Sequence, residues 1–382
     1  MEKHAILSPS AASRWLHCTA SARLEEHIPD PGSDFAAEGT AAHARAAVAI
    51  VAMLRGEEPP AELPNIASTP DMLDAVEVYV NYCRELLERE RRHTPDTRVL
   101  VEYRVDLDEW APASFGTADL VVVSDDTLHV ADFKYGTGVR VDADHNPQLM
   151  LYALGIIGDE EDVTYSFTRV MLHIVQPRIG NIQTWETSVD ELLRWGRDVV
   201  KPRAAEAYYN RGVQLTGDWC RFCKARPRCR AMAELARGVD PEADPRLLSA
   251  GELAAMLPSL RLVKAWATTA EDYAYTLAAG GTRLPGFKLV RGRAVRRVTN
   301  PDLLGARLVA QAGLGVDEVY RPRELRTITE LERRVGRKTF AECAAGCVDR
   351  AEPKAALVAD DDPRAAIDDT AAALGAVDIS GL

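Results

Sequence analysis

The distribution of apolar residues predicts a β-sheet in the first half of the chain. Residues 118–123 and 127–133 are two short apolar runs separated by a polar turn at 124–126, which is typical of antiparallel strands with buried faces. Stretches rich in alternating, β-branched or aromatic residues predict three more strands, at 99–107, 163–175 and 181–187. We expect these five strands to form one sheet.

Segments with helical periodicity precede, interrupt and follow these strands. Helices are predicted at 8–18, around His43, at 71–92, at 148–152, at 189–211 and at 249–279, where Ser249 and Glu252 form a capping box. In the first of them, Pro9 suits the first turn and Ser8 the cap. The order of elements favours an α/β fold in which a mixed central sheet is flanked by helices.

A change of composition near residue 240 divides the chain. Residues 238–245 are rich in Pro and Asp, as linkers often are. We therefore predict a first domain at 1–238 and a second at 246–358. The second is expected to be mainly helical, with a β-hairpin at 287–298 and helices at 302–312 and 327–347, and residues 359–382 to form a flexible acidic tail.

The net charge of the chain is negative, but one segment is basic. The 382 residues include 46 basic and 58 acidic ones, a balance of −12 that argues against a protein coating nucleic acid nonspecifically. Residues 283–338 carry fourteen Lys or Arg against six Asp or Glu, a local balance of 14 − 6 = +8. Candidate DNA contacts in this segment are Lys288, Arg291, Arg293, Arg296 and Arg297. An ordinary solvated face remains the alternative.

Nothing in the sequence predicts a membrane protein or a secreted one. No apolar run approaches the ~20 residues needed to span a bilayer, and the apolar stretch at the N-terminus is too short for a signal peptide. We expect a cytoplasmic protein that does not interact with membranes.

Two acidic residues and a lysine converge in the predicted hairpin. A tight turn between antiparallel strands places Asp119 and Asp132 near one end, and Lys134 points to the same face as Asp132. Two carboxylates can hold Mg²⁺ or Mn²⁺, which lowers the pKa of a bound water, and an ammonium group can orient that water or neutralise phosphate charge. This set suits phosphodiester hydrolysis, although a surface ion pair would leave the same pattern.

The same residues resemble a known family. Asp119 followed by Asp132, Phe133 and Lys134 resembles the D…(D/E)xK core of the PD-(D/E)XK nuclease superfamily. Gln148 and Tyr152 match the QxxxY motif of its RecB-like branch, and residues 38–43 resemble that branch's GTxxH helix. The resemblance covers about residues 5–235 and implies a restriction-endonuclease-like core.

The resemblance also implies roles for individual residues. Asp119, Asp132, Lys134, Gln148 and Tyr152 would be catalytic, with Gln148 and Tyr152 orienting Lys134 or the scissile phosphate. The metal would be held by His43, Asp119, Asp132 and the backbone carbonyl of Phe133. Glu38 and Glu102 are further candidates that would act behind the metal ligands; for Glu102 a purely structural role stays open.

Four of the seven cysteines suggest a second metal centre. Cys220, Cys223 and Cys229 have metal-ligand spacing, and Cys18 is the candidate for the fourth ligand. The layout resembles the iron–sulfur exonucleases of the RecB-like branch, which include AddB-type and CRISPR-associated enzymes. It implies a [4Fe–4S] cluster that clamps the first helix to the far end of the nuclease domain. Because all four ligands are thiolates, Zn²⁺ is the alternative.

Together these features predict a metal-dependent DNA exonuclease. The chain lacks a Walker loop, so it is not itself a helicase–nuclease. Its resemblance to phage and prophage nucleases implies resection of DNA ends for a single-strand annealing protein. Two alternatives stay open: a single-strand or structure-selective endonuclease, and a noncatalytic DNA-binding module with a structural metal.

Overall fold

The computed structural model describes residues 5–29, 32, 34–64, 66, 68–158, 168–239, 248–287 and 338. Contacts divide the chain into two units, Met1–Glu324 and Leu325–Leu382, and all features described below belong to the first. The five candidate DNA contacts at 288–297, the later predicted helices and the tail lie outside the described residues. The predicted domain boundaries therefore stay predictions.

Five strands form one mixed sheet, and their order in the sheet is their order in the chain. The strands are β1 (Arg98–Asp106), β2 (Phe115–Val123), β3 (Thr127–Phe133), β4 (Arg169–Gln176) and β5 (Asn181–Ser188). β3 and β4 are parallel, and the other three neighbouring pairs are antiparallel. A parallel pair needs a crossover connection, and the helix α5 (Pro147–Gly158) lies between β3 and β4 in the chain. The predicted α/β class with a mixed central sheet is confirmed.

Helices precede and follow the strands. The remaining helices are α1 (Ala12–Trp15), α2 (Ser21–Glu25), α3 (Asp34–Arg55), α4 (Pro70–Arg91), α6 (Val189–Trp195), α7 (Lys201–Tyr208), α8 (Arg230–Arg237) and α9 (Ala250–Ala279). α9 begins with the predicted capping box between Ser249 and Glu252. Among the described residues, no helix combines the length and apolar character that crossing a membrane requires.

Two predicted helices differ from the observed ones. The helix predicted to run through Cys18 ends at Trp15, and the chain then turns so that the amide of Ala20 donates to the carbonyl oxygen of Val213 (3.3 Å). The helix predicted at 189–211 is divided by a π-helical turn, Gly196–Val200. This turn ends two residues before Pro202, which has no N–H to donate to the preceding turn, so the regular hydrogen-bond ladder is interrupted.

The core lies on both faces of the sheet. On one face, Phe133 and Ala131 of β3 pack with residues of α3 and α4, and the ring of Phe133 stacks on Tyr79 at 4.8 Å. On the other face, Val130 packs with α5 and with the N-terminal segment that contains Trp15. All seven residues of β3 are buried, because both faces of this central strand are covered.

Candidate active site

The pairing between β2 and β3 ends at the two predicted carboxylates. The last paired residues are Leu120 and Ala131, and the next residue on each strand toward the open end is Asp119 or Asp132. Instead of continuing the ladder, the backbone N–H of Phe133 donates to Oδ2 of Asp119 at 2.7 Å. The sheet therefore delivers Asp119 and Asp132 to the same end of the hairpin.

His43 and Glu102 also reach Asp119. Nδ1 of His43, on α3, is 3.0 Å from Oδ1 of Asp119. Glu102 of β1 faces Asp119 between the paired positions on either side, and has a left-handed backbone with φ of 50°. His43, Glu102 and Asp119 each offer a ligand atom within 4.8 Å of the others, the one such group found in the described part of the chain. Glu102 is therefore itself a candidate metal ligand, and not a residue that only supports the ligands.

Crowding of acidic groups perturbs their protonation. Partial burial of its carboxyl group, followed by the charge of Asp119, raises the pKa of Glu102. Burial and Asp119 also raise the pKa of Asp132, while the nearby Lys134 opposes the shift. Burial alone would lower the pKa of His43, but its hydrogen bond to Asp119 raises it. Besides burial, all three shifts include the negative charge of Asp119, which a bound cation would offset.

Lys134, Gln148 and Tyr152 form a hydrogen-bonded set around Asp132. Nζ of Lys134 lies 2.9 Å from Oδ2 of Asp132 and donates to Oε1 of Gln148 at 2.9 Å. Nε2 of Gln148 donates to Oδ1 of Asp132 (3.1 Å) and to the hydroxyl of Tyr152 (3.3 Å). Gln148 thus fixes the amine and the carboxylate together. Tyr152 is almost fully buried and supports Gln148 from behind.

The other predicted residues lie close to this set. Phe133, whose carbonyl is a predicted ligand, is the last residue of β3. Glu38 accepts a hydrogen bond from the hydroxyl of Tyr135 at 3.1 Å, so it fixes the residue that follows Lys134. Asp132 is held by Lys134 and Gln148 and does not belong to the three-residue group around His43. Its role as a ligand stays a prediction.

Sequence reasoning overlooked Gly116. A Cβ atom there would lie 2.6 Å from Cε1 of Tyr152 and 2.9 Å from Cγ of Pro9. Only glycine lets Tyr152 and the N-terminal segment approach β2 this closely. Glu102 is a candidate from the sequence, but its place opposite Asp119 follows only from the register of β1 against β2.

The donor set fits a divalent cation. Carboxylate oxygens suit Mg²⁺ and Mn²⁺, and an imidazole nitrogen shifts the preference toward the transition metal. The 3.0 Å between His43 and Asp119 is close to the spacing of adjacent ligands in an octahedral shell, about 3 Å for bonds of about 2.1 Å. In addition, Oδ2 of Asp132 is buried without a hydrogen-bond partner of good geometry among the described residues, although the Lys134 ammonium is near.

The four predicted cysteines line one small cavity. Cys18 and Cys220 are buried, and Cys223 and Cys229 are half-buried. Arg14 and Arg226 line the same cavity. Burial raises the pKa of Cys18 and Cys220, and raises that of Cys223 to about 12. The region therefore favours neutral thiols unless a metal is bound.

Contacts between protein groups also join the two segments that carry these cysteines. Arg14 forms an ion pair with Glu25 (2.7 Å), and the Glu25 carboxylate accepts the backbone N–H of Lys224. The ring of His17 stacks on Trp219, with centroids 4.4 Å apart. The N-terminal segment thus contacts the 218–229 region independently of the sulfur atoms.

The chain belongs to the family described as "Protein of unknown function (DUF2800)", whose model matches residues 4–365. Among solved structures it is similar to one described as "Crystal structure of SSO0001", with 12% sequence identity and a TM-score of 0.23. That alignment covers 56% of this chain and 94% of the other.

Proposed function

We propose that this protein is a divalent-metal-dependent nuclease that hydrolyses phosphodiester bonds in DNA, built on a restriction-endonuclease-like core. The observation that carries the proposal is the paired placement of Asp119 and Asp132 at the open end of β2 and β3, with Lys134 2.9 Å from Asp132. An ordinary surface ion pair does not account for His43 and Glu102, which reach Asp119 from separate elements.

The residues of the site divide the work of hydrolysis. His43, Glu102 and Asp119 would hold Mg²⁺ or Mn²⁺, with Asp132 and the carbonyl of Phe133 completing the set. When bound, the cation supplies Lewis acidity and a lower pKa for water. Lys134, partly exposed and fixed by Gln148, orients water or neutralises charge on the phosphate. Tyr152 keeps Gln148 in place through its hydroxyl.

The cysteine cavity is proposed to hold a [4Fe–4S] cluster. Four tetrahedral ligands about 2.3 Å from one zinc ion lie about 3.8 Å apart. The four cysteines line one cavity, and four thiolate ligands suit a polynuclear cluster and Zn²⁺ alike. The choice of a cluster follows the resemblance of the cysteine spacing to that of the iron–sulfur exonucleases. Anaerobically purified protein should be brown.

The mode of cleavage and the biological setting are further parts of the proposal. We favour exonuclease action on DNA ends in a phage or prophage setting, in the cytoplasm, with a single-strand annealing protein as partner. A single-strand or structure-selective endonuclease is the second candidate. Linear and covalently closed circular DNA digested side by side with Mn²⁺ separate the two, because only an endonuclease cuts the circle.

Substitution of Asp119 tests the proposal. Asp119→Asn keeps a hydrogen-bond acceptor for the amide of Phe133 but removes the negative charge that would bind the cation. We expect Mn²⁺-dependent cleavage to fall by about 10³-fold or more, and Mn²⁺ binding, followed by electron paramagnetic resonance, to weaken in parallel.

Asp125→Asn is the matched control, because Asp125 is an exposed aspartate in the turn of the same hairpin. It should cleave DNA at the parent rate. If Asp119→Asn cleaved as fast as the parent, the site would be wrong. If the parent bound DNA but cut nothing in any divalent metal, a noncatalytic DNA-binding module would replace the nuclease.

A further inference from the structure

An exposed phenylalanine lies between two of the cavity cysteines. Phe222 separates Cys220 from Cys223 and is 67% exposed. Its backbone is fixed from the N-terminal segment, because Nη1 of Arg14 donates to the carbonyl oxygen of Phe222 at 3.4 Å. A large aromatic ring held on a short constrained segment, with most of its surface in water, is poorly explained by packing.

The surrounding segment is strongly basic. Residues 221–230 contain five Lys or Arg and no Asp or Glu, in a chain whose net charge is −12. The guanidinium of Arg221 lies 5.5 Å from the centroid of the Phe222 ring. Arg221 and Arg228 are exposed. The side chain of Arg228 contacts the carbonyl oxygen of Leu24 (3.3 Å), which ties it to the N-terminal segment.

Balancing the negative charge of metal-bound thiolates would use only some of these basic residues. Arg14 and Arg226 line the cysteine cavity, so they are placed to balance the thiolates. Arg230 lies 4.0 Å from Glu234. Arg221 and Arg228 do not line the cavity, and neither forms an ion pair with a described acidic residue. Their positive charge faces solvent.

We propose that the surface formed by Arg221, Phe222 and Arg228 binds single-stranded DNA, with a base stacked on the Phe222 ring and phosphates held by the two arginines. This inference rests on the proposed function for its choice of DNA as the ligand. Unpaired bases expose their faces and stack on aromatic side chains, whereas bases in a duplex are already stacked. Arginine beside an aromatic ring adds a cation that can contact the neighbouring phosphate.

The ligand class follows from the combination of ring and charge. A membrane surface would use the basic residues but would not require a lone ring between arginines, and an acidic peptide would not need a stacking face. Single-stranded nucleic acid uses both features at once. For a nuclease, such a surface would hold a separated strand at the cysteine region.

The test compares binding of the full-length protein to a fluorescent dT₂₀ strand and to a blunt duplex, by anisotropy in Ca²⁺ without cleavage. Phe222→Ala should weaken single-strand binding about 5- to 150-fold, the range expected for one lost stacked base. Duplex binding should change less than about twofold. Phe222→Trp should restore single-strand affinity, and Arg221→Gln should lower the salt slope of single-strand binding by about 0.7.

Phe35→Ala is the matched control, because Phe35 is 78% exposed on α3; it should bind both DNAs like the parent. Visible absorbance and metal content of each variant show whether the cysteine site is intact. Three results would overturn the inference: unchanged single-strand binding in Phe222→Ala, equal losses for single strand and duplex, or a parent that self-associates through Phe222 and does not bind dT₂₀.

The two proposals can fail separately. A parent that cleaves DNA while Phe222→Ala binds single strands normally would refute only the surface. A parent that binds single strands through Phe222 but cuts nothing in any divalent metal would refute only the nuclease. An RNA strand of the same length shows whether the sugar matters, and tighter binding of RNA than of DNA would contradict the choice of DNA.

Discussion

The candidate metal site at the end of the sheet and the cysteine region differ in what holds them together. In the first, protein hydrogen bonds already fix Asp119, Asp132, Lys134 and Gln148, at distances between 2.7 and 3.1 Å. In the second, Cys220 and Cys229 donate the weak hydrogen bonds of thiols, at 3.9 Å to the carbonyl oxygen of Leu215 and at 3.7 Å to Oε1 of Gln214.

This difference has a physical origin. The candidate ligands at the sheet end come from β1, β2 and α3, which are held by strand pairing and by packing that do not involve a metal. The cysteines come from segments 202 positions apart (220 − 18), each made of short helices and turns. We therefore expect the sheet end to keep its form without a cation, and the cysteine region to depend on the proposed cluster.

Among single substitutions, the largest loss of stability should come from Cys18→Ser. If Cys18 holds the proposed cluster, its loss releases a constraint that closes a loop of about 200 residues, and we expect the free energy of unfolding to fall by about 3 kcal/mol. The full loop-closure value would be larger, but Trp15 in the core and the Arg14–Glu25 pair also hold this segment. Urea denaturation of anaerobically prepared protein measures the change.

Asp119→Asn tests the sheet end in the same comparison. It should change the free energy of unfolding by less than about 1 kcal/mol while removing cleavage. Limited proteolysis adds a local readout: trypsin should cut Cys18→Ser first near Arg221 and Arg228. If Asp119→Asn destabilised the fold more than Cys18→Ser, the proposed contrast between the two regions would be reversed.

Lowering the pH should destabilise the sheet region, whereas removing metal ions with a chelator should not. His129 and His173 are buried side by side on β3 and β4, with 3.1 Å between Nδ1 of His129 and Nε2 of His173. The hydroxyl of Tyr82, on α4, contacts Nδ1 of His173 at 2.8 Å. Burial is the main cause that lowers the pKa of His129 to about 4 and that of His173 to about 3.

Below the ordinary histidine pKa of ~6.5, the unfolded chain binds protons that the folded protein excludes. The free energy of unfolding should therefore fall as the pH drops from 7.5 to 5, by about 2 kcal/mol for each of the two imidazoles. His173→Gln should remove roughly half of this pH dependence, as measured by urea denaturation at several pH values. The exposed His27→Gln is the control, and an equal effect of both variants would contradict the assignment to the buried pair.

Local patterns predicted most of the described fold. The predicted strand at 127–133 coincides with β3, because every residue there is apolar or buried. β2 begins at Phe115, three residues before the prediction, because its first residues are half-exposed and only their pairing with β1 identifies them as a strand.

The two carboxylates and the lysine of the site could be predicted from the sequence, since their proximity depends on a single hairpin of neighbouring residues. The nearness of Glu102 depends on a register between strands, and that of Cys18 on the whole fold, so spacing alone could only suggest them.

The smallest expected effect concerns Glu102, whose backbone has an unfavourable conformation within β1. A left-handed backbone at a residue with a Cβ costs about 1 kcal/mol relative to glycine, and Glu102 adopts φ of 50°. Glu102→Gly and Glu102→Ala both remove the carboxylate, but only glycine relieves the strain. We expect the glycine variant to be more stable than the alanine variant by about 1 kcal/mol in urea denaturation with chelator present. Both variants should need more Mn²⁺ for cleavage than the parent.

Equal stabilities of the two variants would mean that the backbone at this position carries no strain. An unchanged Mn²⁺ requirement would remove Glu102 from the ligand set and leave only His43 and Asp119 of the three gathered groups.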